Sequence, residues 1–149
     1  MSKGPKFSEM SVRASRALLK RHGAGRLAFT FKNYVDIEPI GYVLDGDWLY
    51  GRTSRGTKMV QLKRNPWVAF EVDEIVGPFD WKSVVVHGTV YFLNPGGDEH
   101  PDFPRALKLF RGRDPRIMRG DDPVPERTIF FRIHLDEISG RSASTKGRR

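Results

Sequence analysis

Through the middle of this 149-residue chain the apolar residues recur at every second position, and that pattern constrains the fold more than any other feature. Leu27, Phe29 and Phe31 alternate with Arg26, Ala28 and Thr30, which predicts a half-buried strand. Residues 35–44 begin with the same alternation, but Pro39 and Gly41 predict an edge or a bulge there. Asp45-Gly46 is a hairpin signal, and residues 47–52 return as the next strand. Residues 67–73 form another strand and 74–80 a loop. Residues 81–93 make one long strand bent at Gly88. Residues 127–138 read as a last strand with Ile129, Phe131, Ile133 and Leu135 on one face. No regular strand–helix–strand alternation occurs, so a doubly wound parallel sheet is not expected. Antiparallel hairpins with a long bent strand predict a small six-stranded barrel, in which closure removes the exposed edges.

Helical periodicity is confined to short segments. Ser8 and Ser11 are N-cap candidates for a helix over about 8–21, with Met10, Ala14, Ala17 and Leu18 on one face. His22-Gly23-Ala24-Gly25 ends it. Short helices are predicted over 57–63, stopped by Asn65-Pro66, and over 104–110. Residues 111–126, rich in arginine and proline, read as a surface loop. The prediction is therefore one mainly-β domain with flanking helices over residues 1–140, followed by a basic disordered tail over 141–149.

Composition narrows the chemistry. There is no cysteine, which excludes disulfides, thiolate metal sites and cysteine nucleophiles. No apolar run approaches the roughly 20 residues of a membrane span, and no apolar segment follows the cationic start. A cytoplasmic protein without a membrane partner is expected. The net charge of +8 is uneven. Residues 1–34 carry +7, residues 35–104 carry −5 and residues 105–149 carry +6. Because the basic residues sit at the ends and no stacking-aromatic motif lies on a basic strand, nucleic acid is not the expected partner.

The segment Gly51-Arg-Thr-Ser-Arg-Gly-Thr-Lys58 carries the strongest functional signal. It joins a predicted strand to a predicted helix, where unpaired N–H groups and a partial positive charge suit a phosphate. Arg52, Arg55 and Lys58 add charge, and Ser54 and Thr57 add hydroxyls. It is not a Walker loop, because Thr57-Lys58 follows Gly56 where that motif requires Lys and then Ser or Thr. The simpler alternative is a helix cap with solvated basic residues.

A wider pattern surrounds this turn. Gly25-Arg-Leu-Ala-Phe29, Pro39-Ile-Gly-Tyr42, Asp45-Gly-Asp-Trp-Leu-Tyr50, Arg52-Thr-Ser54, Gly56-Thr-Lys58, Asn65-Pro66, Phe70-Glu-Val-Asp73 and Trp81-Lys-Ser-Val84 with Gly88 follow in order. Together they resemble the FMN-binding split-barrel proteins of the pyridoxamine 5′-phosphate oxidase-like group, in the branch that includes the nitroimidazole-resistance flavoproteins. The likeness spans about residues 10–93, and residues 128–140 are similar to that branch's last strand. It implies a six-stranded antiparallel split barrel, a homodimer, and one FMN in each of two grooves at the subunit interface. The strand from Glu38 through Pro39, Ile40, Gly41 and Tyr42 would lie along the flavin. Arg52, Thr53, Ser54, Thr57 and Lys58 would hold the phosphate, and Lys82 and Ser83 would reach the ring. The implied activity is a flavin-dependent oxidoreductase acting on a small organic substrate, with NAD(P)H as a possible electron donor. Residues 141–149 lack that family's Trp-containing segment and Arg-Leu-x-Pro close, so vitamin B6 oxidation is not carried over. Arg52 stands where the nitroimidazole-resistance branch often has His, so nitroimidazole reduction is not carried over either.

Other groupings point elsewhere or nowhere. His22, His87, His100 and His134 show no ligand spacing, so no metal is expected. Glu71 and Asp73 share a strand face, where outward charges are simpler than acid–base catalysis. Trp67 and Trp81 read as core or dimer-interface residues, with a flavin-edge role open to Trp81. Arg105, Arg111, Arg113, Arg116 and Arg119 could form a lid over an anion or be a solvated charge run. No catalytic residue is identified. Alternatives to FMN on the same fold are deazaflavin or haem, and a non-catalytic nucleic-acid or partner-binding module is the alternative of a different class.

Overall fold

A computed structural model describes residues 4–96 and 99–145. In chain order the elements are β1 (Lys6–Met10), α1 (Val12–Arg21), β2 (Ala24–Phe31), β3 (Tyr34–Asp45), β4 (Trp48–Thr53) and α2 (Thr57–Arg64). They continue with β5 (Trp67–Gly77), β6 (Asp80–Phe92), α3 (Phe103–Arg113), β7 (Ile129–His134) and β8 (Glu137–Ser144). The hydrogen-bonded order is β1-β8-β6-β5-β2-β3-β4-β7, and β6 also pairs with β7. That second pairing closes β6-β5-β2-β3-β4-β7 into a six-stranded antiparallel barrel, as the alternating sequence predicts. The strands β8 and β1 extend it outward from β6.

The split lies where the sequence bends. Residues Trp81–His87 of β6 pair with β8, whereas Val90–Phe92 pair with β7. Between them Gly88 is approached so closely by the His134 carbonyl that any Cβ would collide with it. Only glycine lets β6 pass from one partner to the other here. The same place breaks the predicted 127–138 strand in two. Asp136 N–H donates to the His134 carbonyl at 2.9 Å, and Leu135 N–H donates to the Asp47 carbonyl at 3.0 Å. The chain therefore turns at 135–136, and Glu137 begins β8.

Three other expectations shift. Lys6–Met10 is a strand on β8, so the helix starts later than residue 8 and Ser8 is not its cap. Ser11 is the cap, its hydroxyl accepting from Ala14 N–H at 3.0 Å. Residues 141–144 extend β8, where the tail was expected to begin; residues 146–149 lie outside those described. Trp67 and Trp81 are not core residues. Trp67 is half exposed and stacks on His87, and Trp81 tilts against Phe7.

Two apolar clusters hold the elements in place. The barrel interior contains Leu27, Phe29, Phe70, Val84, Val86 and Ile133, and α1 inserts Leu18 and Leu19 at one end. Tyr42 points into this core and donates from its hydroxyl to the Leu19 carbonyl at 2.6 Å. It thereby satisfies a carbonyl of α1's last turn. Burial pushes its hydroxyl up to about 12. The second cluster lies outside the barrel, between β4, β7 and α3. Phe103 and Phe110 meet Phe130 edge-on at 5.4 and 5.5 Å, and Tyr50 and Ile117 fill the rest. Each fully buried ring contributes about 1.5–3 kcal/mol. This outer layer covers Phe130 on the outer face of β7. Among the described residues no helix is long and apolar enough to cross a membrane.

Candidate functional site

The site begins where two strands separate. From Tyr34 to Gly41, β3 pairs with β2; from Tyr42 to Asp45 it pairs with β4. Beyond the Tyr42–Gly51 pair, β4 continues along β7 through Arg52 and Thr53 while β3 turns away. The wedge between them is a cleft of about 370 Å³. Glu38, Pro39 and Ile40 line one side, Arg52, Thr53, Ser54, Gly56, Thr57 and Lys58 the other, and Glu126 and Arg127 complete the lining. Pro39 has no N–H, so it places no donor on this open edge. The edge predicted at Pro39 is present, and the β2–β3 register runs past it without a bulge.

The turn reaches α2 through Gly56, at φ 157° and ψ −164°. Only glycine occupies that region readily. No side chain caps α2, so the first-turn N–H groups are not closed off by a local hydroxyl. The cap reading of this turn is therefore not what the structure shows, although the helix itself forms where expected.

The cations of the turn have different environments. Lys58 Nζ lies 3.1 Å from Glu38 Oε2, and both side chains keep contact with solvent. Arg55 swings away and donates to the Pro95 carbonyl at 3.0 Å. Arg52 is only 7% exposed. Its Nε donates to the Arg127 carbonyl at 2.9 Å, and its Nη2 donates to Asp122 Oδ2 at 2.8 Å and to the Val124 carbonyl at 3.2 Å. Asp122 also accepts from Met118 and Val124 N–H. Burial alone would raise the Asp122 carboxyl, but the hydrogen bonds from Arg52 and the two amides hold it down at about 2. Arg52 thus pins the 114–127 loop beneath the cleft and presents its remaining edge to it.

Seven sequence-predicted residues converge on the cleft: Pro39, Ile40, Arg52, Thr53, Ser54, Thr57 and Lys58. The other four do not line it. Gly41 is exposed just beyond its wall, and Tyr42 turns into the barrel core. Lys82 lines a separate depression with Trp81 and Ser142. Ser83 donates to Glu71 Oε2 at 2.8 Å. Glu71 and Asp73 share Arg26 Nη1, at 3.1 and 3.0 Å. The Glu71 carboxyl is raised, first by burial and then by its bond to Asp73.

Sequence reading missed Glu126 and Arg127, and placed Glu38 on the flavin strand without its pairing to Lys58. Glu38 shares a strand parity with Ile40, which signals a common face; nothing local places 126–127 under β4. As the charge-run reading has it, Arg105, Arg113, Arg116 and Arg119 are exposed, and none of the five arginines lines the cleft. Arg105 pairs with Asp45, Arg111 donates to the Ile117 and Met118 carbonyls, and Arg116 pairs with Asp114. Of these contacts, Arg105 ties α3 to the end of β3 and Arg111 ties it to the loop that follows.

The family model described as pyridoxamine 5′-phosphate oxidase matches residues 11–142. An uncharacterized protein of Rhizobium meliloti is 30% identical over 142 residues, covering 90% of this chain and 93% of that one. A solved FAD-binding protein of Mesorhizobium loti is 28% identical, with a TM-score of 0.73 over 95% of this chain and 99% of its own. A solved candidate 5-nitroimidazole antibiotic resistance protein of Bacteroides thetaiotaomicron shares the fold at a TM-score of 0.70. It is 16% identical, covering 94% of this chain and 89% of that one.

Proposed function

The chain belongs to the pyridoxamine 5′-phosphate oxidase family, and from that premise we propose that it is a cytoplasmic, homodimeric flavoprotein that holds FMN and works as a flavin-dependent oxidoreductase on a small organic substrate. The observation that carries this reading is the wedge between β3 and β4, where Lys58, the Thr53, Ser54 and Thr57 side chains and the uncapped start of α2 face one volume. That donor set fits a phosphate. Lys58 supplies the mobile charge, Ser54 and Thr57 supply hydroxyl donors, and Arg52 fixes the wall. Pro39 and Ile40 give the flavin an apolar flank free of competing donors. When bound, the flavin supplies hydride transfer, with NAD(P)H as the electron donor we favour. The chain's own part is to anchor, orient and shield.

The dimer reading rests on apolar surface. Tyr34, Val35 and Ile37 on the β2–β3 hairpin are 60–75% exposed, and Ile75 and Val76 on the β5–β6 hairpin are 69% and 82% exposed. Such patches mark contact surfaces. In this reading a partner copy brings Lys82 and Ser83 toward the ring. The Mesorhizobium loti relative, described as FAD-binding, favours FAD as a second reading of the flavin.

Absorbance of the purified protein tests the proposal. Flavin-type absorption with one flavin per chain, and its loss in Lys58→Ala, is the expected result. Chromatography of the released cofactor separates FMN from FAD, and a Soret band would identify haem instead. A folded, colourless protein that takes up neither flavin would overturn the reading. Sedimentation at two concentrations checks the dimer.

A further inference from the structure

A second pocket opens at the opposite end of α2 from the flavin cleft. Its volume is about 600 Å³, within the range of small-molecule sites. Leu62 and Lys63 of α2 line it, with Trp48, Tyr91, His100 and Arg132. The Arg132 guanidinium lies over the Trp48 ring at 3.9 Å. Tyr91 meets Trp48 edge-on at 5.9 Å, and its own ring is half exposed. The wall is thus an aromatic pair with a cation over one of its rings.

The polar groups of this pocket are incompletely matched. Arg132 Nη1 reaches Asp102 Oδ2 at 2.9 Å and the Tyr50 hydroxyl at 3.4 Å. Its Nε is buried and has no acceptor among the described residues. A buried donor left unpaired in this way calls for a ligand, a water or a shift of the side chain. His100 Nδ1 accepts from Asp102 N–H at 2.9 Å, so the neutral ring carries its proton on Nε2, as a donor. Lys63 adds a second cation at the rim. Donors outnumber acceptors around an apolar volume.

We propose that this pocket binds a small aromatic monocarboxylate, its ring against Tyr91 and Pro66 and its carboxylate taken by the Arg132 fork. A planar carboxylate matches a guanidinium edge in a way a point cation does not require. Asp102 already balances part of the Arg132 charge, so a monoanion fits better than a phosphate dianion. The proposal is independent of the flavin reading, because none of these residues lines the first cleft.

The probe is benzoate, titrated into the full chain carrying Trp67→Phe and Trp81→Phe, so that Trp48 alone reports by fluorescence. Saturable quenching by benzoate, at least tenfold tighter than by benzyl alcohol, is expected. Tyr91→Ala, at a half-exposed position, should weaken benzoate at least fivefold with the fold intact by circular dichroism. Arg132→Lys should weaken it similarly while keeping the charge, and Lys58→Ala should leave it unchanged. Equal response to benzoate and benzyl alcohol would overturn the proposal. So would unsaturable quenching, insensitivity to Tyr91→Ala in folded protein, or loss of binding with Lys58→Ala.

Discussion

The two ends of α2 face opposite kinds of chemistry. At the first turn, hydroxyls and one solvated lysine surround a polar wedge. At the last turn, rings and a guanidinium surround an apolar volume. An arginine from the β4–β7 pair stands in the wall of each. Arg52 has protein acceptors on Nε and Nη2 and a buried carboxylate beside it. Arg132 has a half-exposed carboxylate on Nη1 and no acceptor for Nε among the described residues. Cation count alone, Arg52, Lys58 and Arg127 against Lys63 and Arg132, says little about which arginine is free to take a ligand. The supply of acceptors separates an arginine that builds a wall from one with a donor still to place.

The largest expected effect tests that separation through the carboxylates. Asp122 is buried with Arg52, so Asp122→Ala leaves an uncompensated charge and should cost about 3–5 kcal/mol in denaturant unfolding. Asp102 is 45% exposed, so Asp102→Ala should cost under about 1 kcal/mol. Equal losses would erase the distinction. Acid sharpens it. The Asp122 carboxyl is held at about 2 in the fold against 3.8 ordinarily. A depressed value stabilises the fold above the ordinary pKa and loses that contribution as pH falls through the depressed one. Thermal stability should therefore drop between about pH 4 and pH 2, and the drop should be shallower in Asp122→Asn.

A second effect is on ligand affinity, with the fold untouched. Lys58→Ala should weaken flavin binding about ten- to a hundredfold, as a lost charge-assisted hydrogen bond does. The melting temperature of the cofactor-free protein should not move, since Lys58 makes only a solvated ion pair. Arg132→Lys should leave flavin affinity alone. Flavin titration by fluorescence reads both, and a flavin loss in Arg132→Lys would mean that the two ends of α2 act as one site.

Much of this geometry was legible in the chain because it is local. Period-two alternation located β2 to β6, Asn65-Pro66 stopped α2, and Gly88 marked the bend where β6 changes partners. The turn from Arg52 to Lys58 was legible for the same reason: its chemistry is contiguous. What escaped depends on distant pairing. Lys6–Met10 is a strand only because β8 lies beside it. Arg52 resembled a free phosphate ligand until Asp122, 70 positions later, proved to lie against it. The turn at 135–136 was hidden by continuing alternation, since Leu135 keeps the parity of Ile133. The aromatic pocket draws on β4, α2, β6, the segment before α3, and β7, and no window of sequence holds them together.

The smallest expected effect concerns Glu38, which sets the first end of α2 apart from the last. Its carboxylate is 3.1 Å from Lys58 Nζ, so a phosphate must take the lysine from an existing partner. The pair is solvated, with Glu38 40% exposed, and a pair of that kind is worth about 0.2–1 kcal/mol. Glu38→Gln removes both the competition and the repulsion between carboxylate and phosphate. FMN should therefore bind about two- to fivefold tighter, and the gain should shrink as salt is raised. Riboflavin, which lacks the phosphate, should show no gain. At the other end of α2 Asp102 occupies Arg132 Nη1 while Nε has no acceptor among the described residues, so a carboxylate there need not displace an existing partner. A tighter riboflavin complex in Glu38→Gln would mean that Glu38 acts on the ring rather than through Lys58. A weaker FMN complex would mean that the Lys58–Glu38 pair orients the lysine for phosphate instead of occupying it.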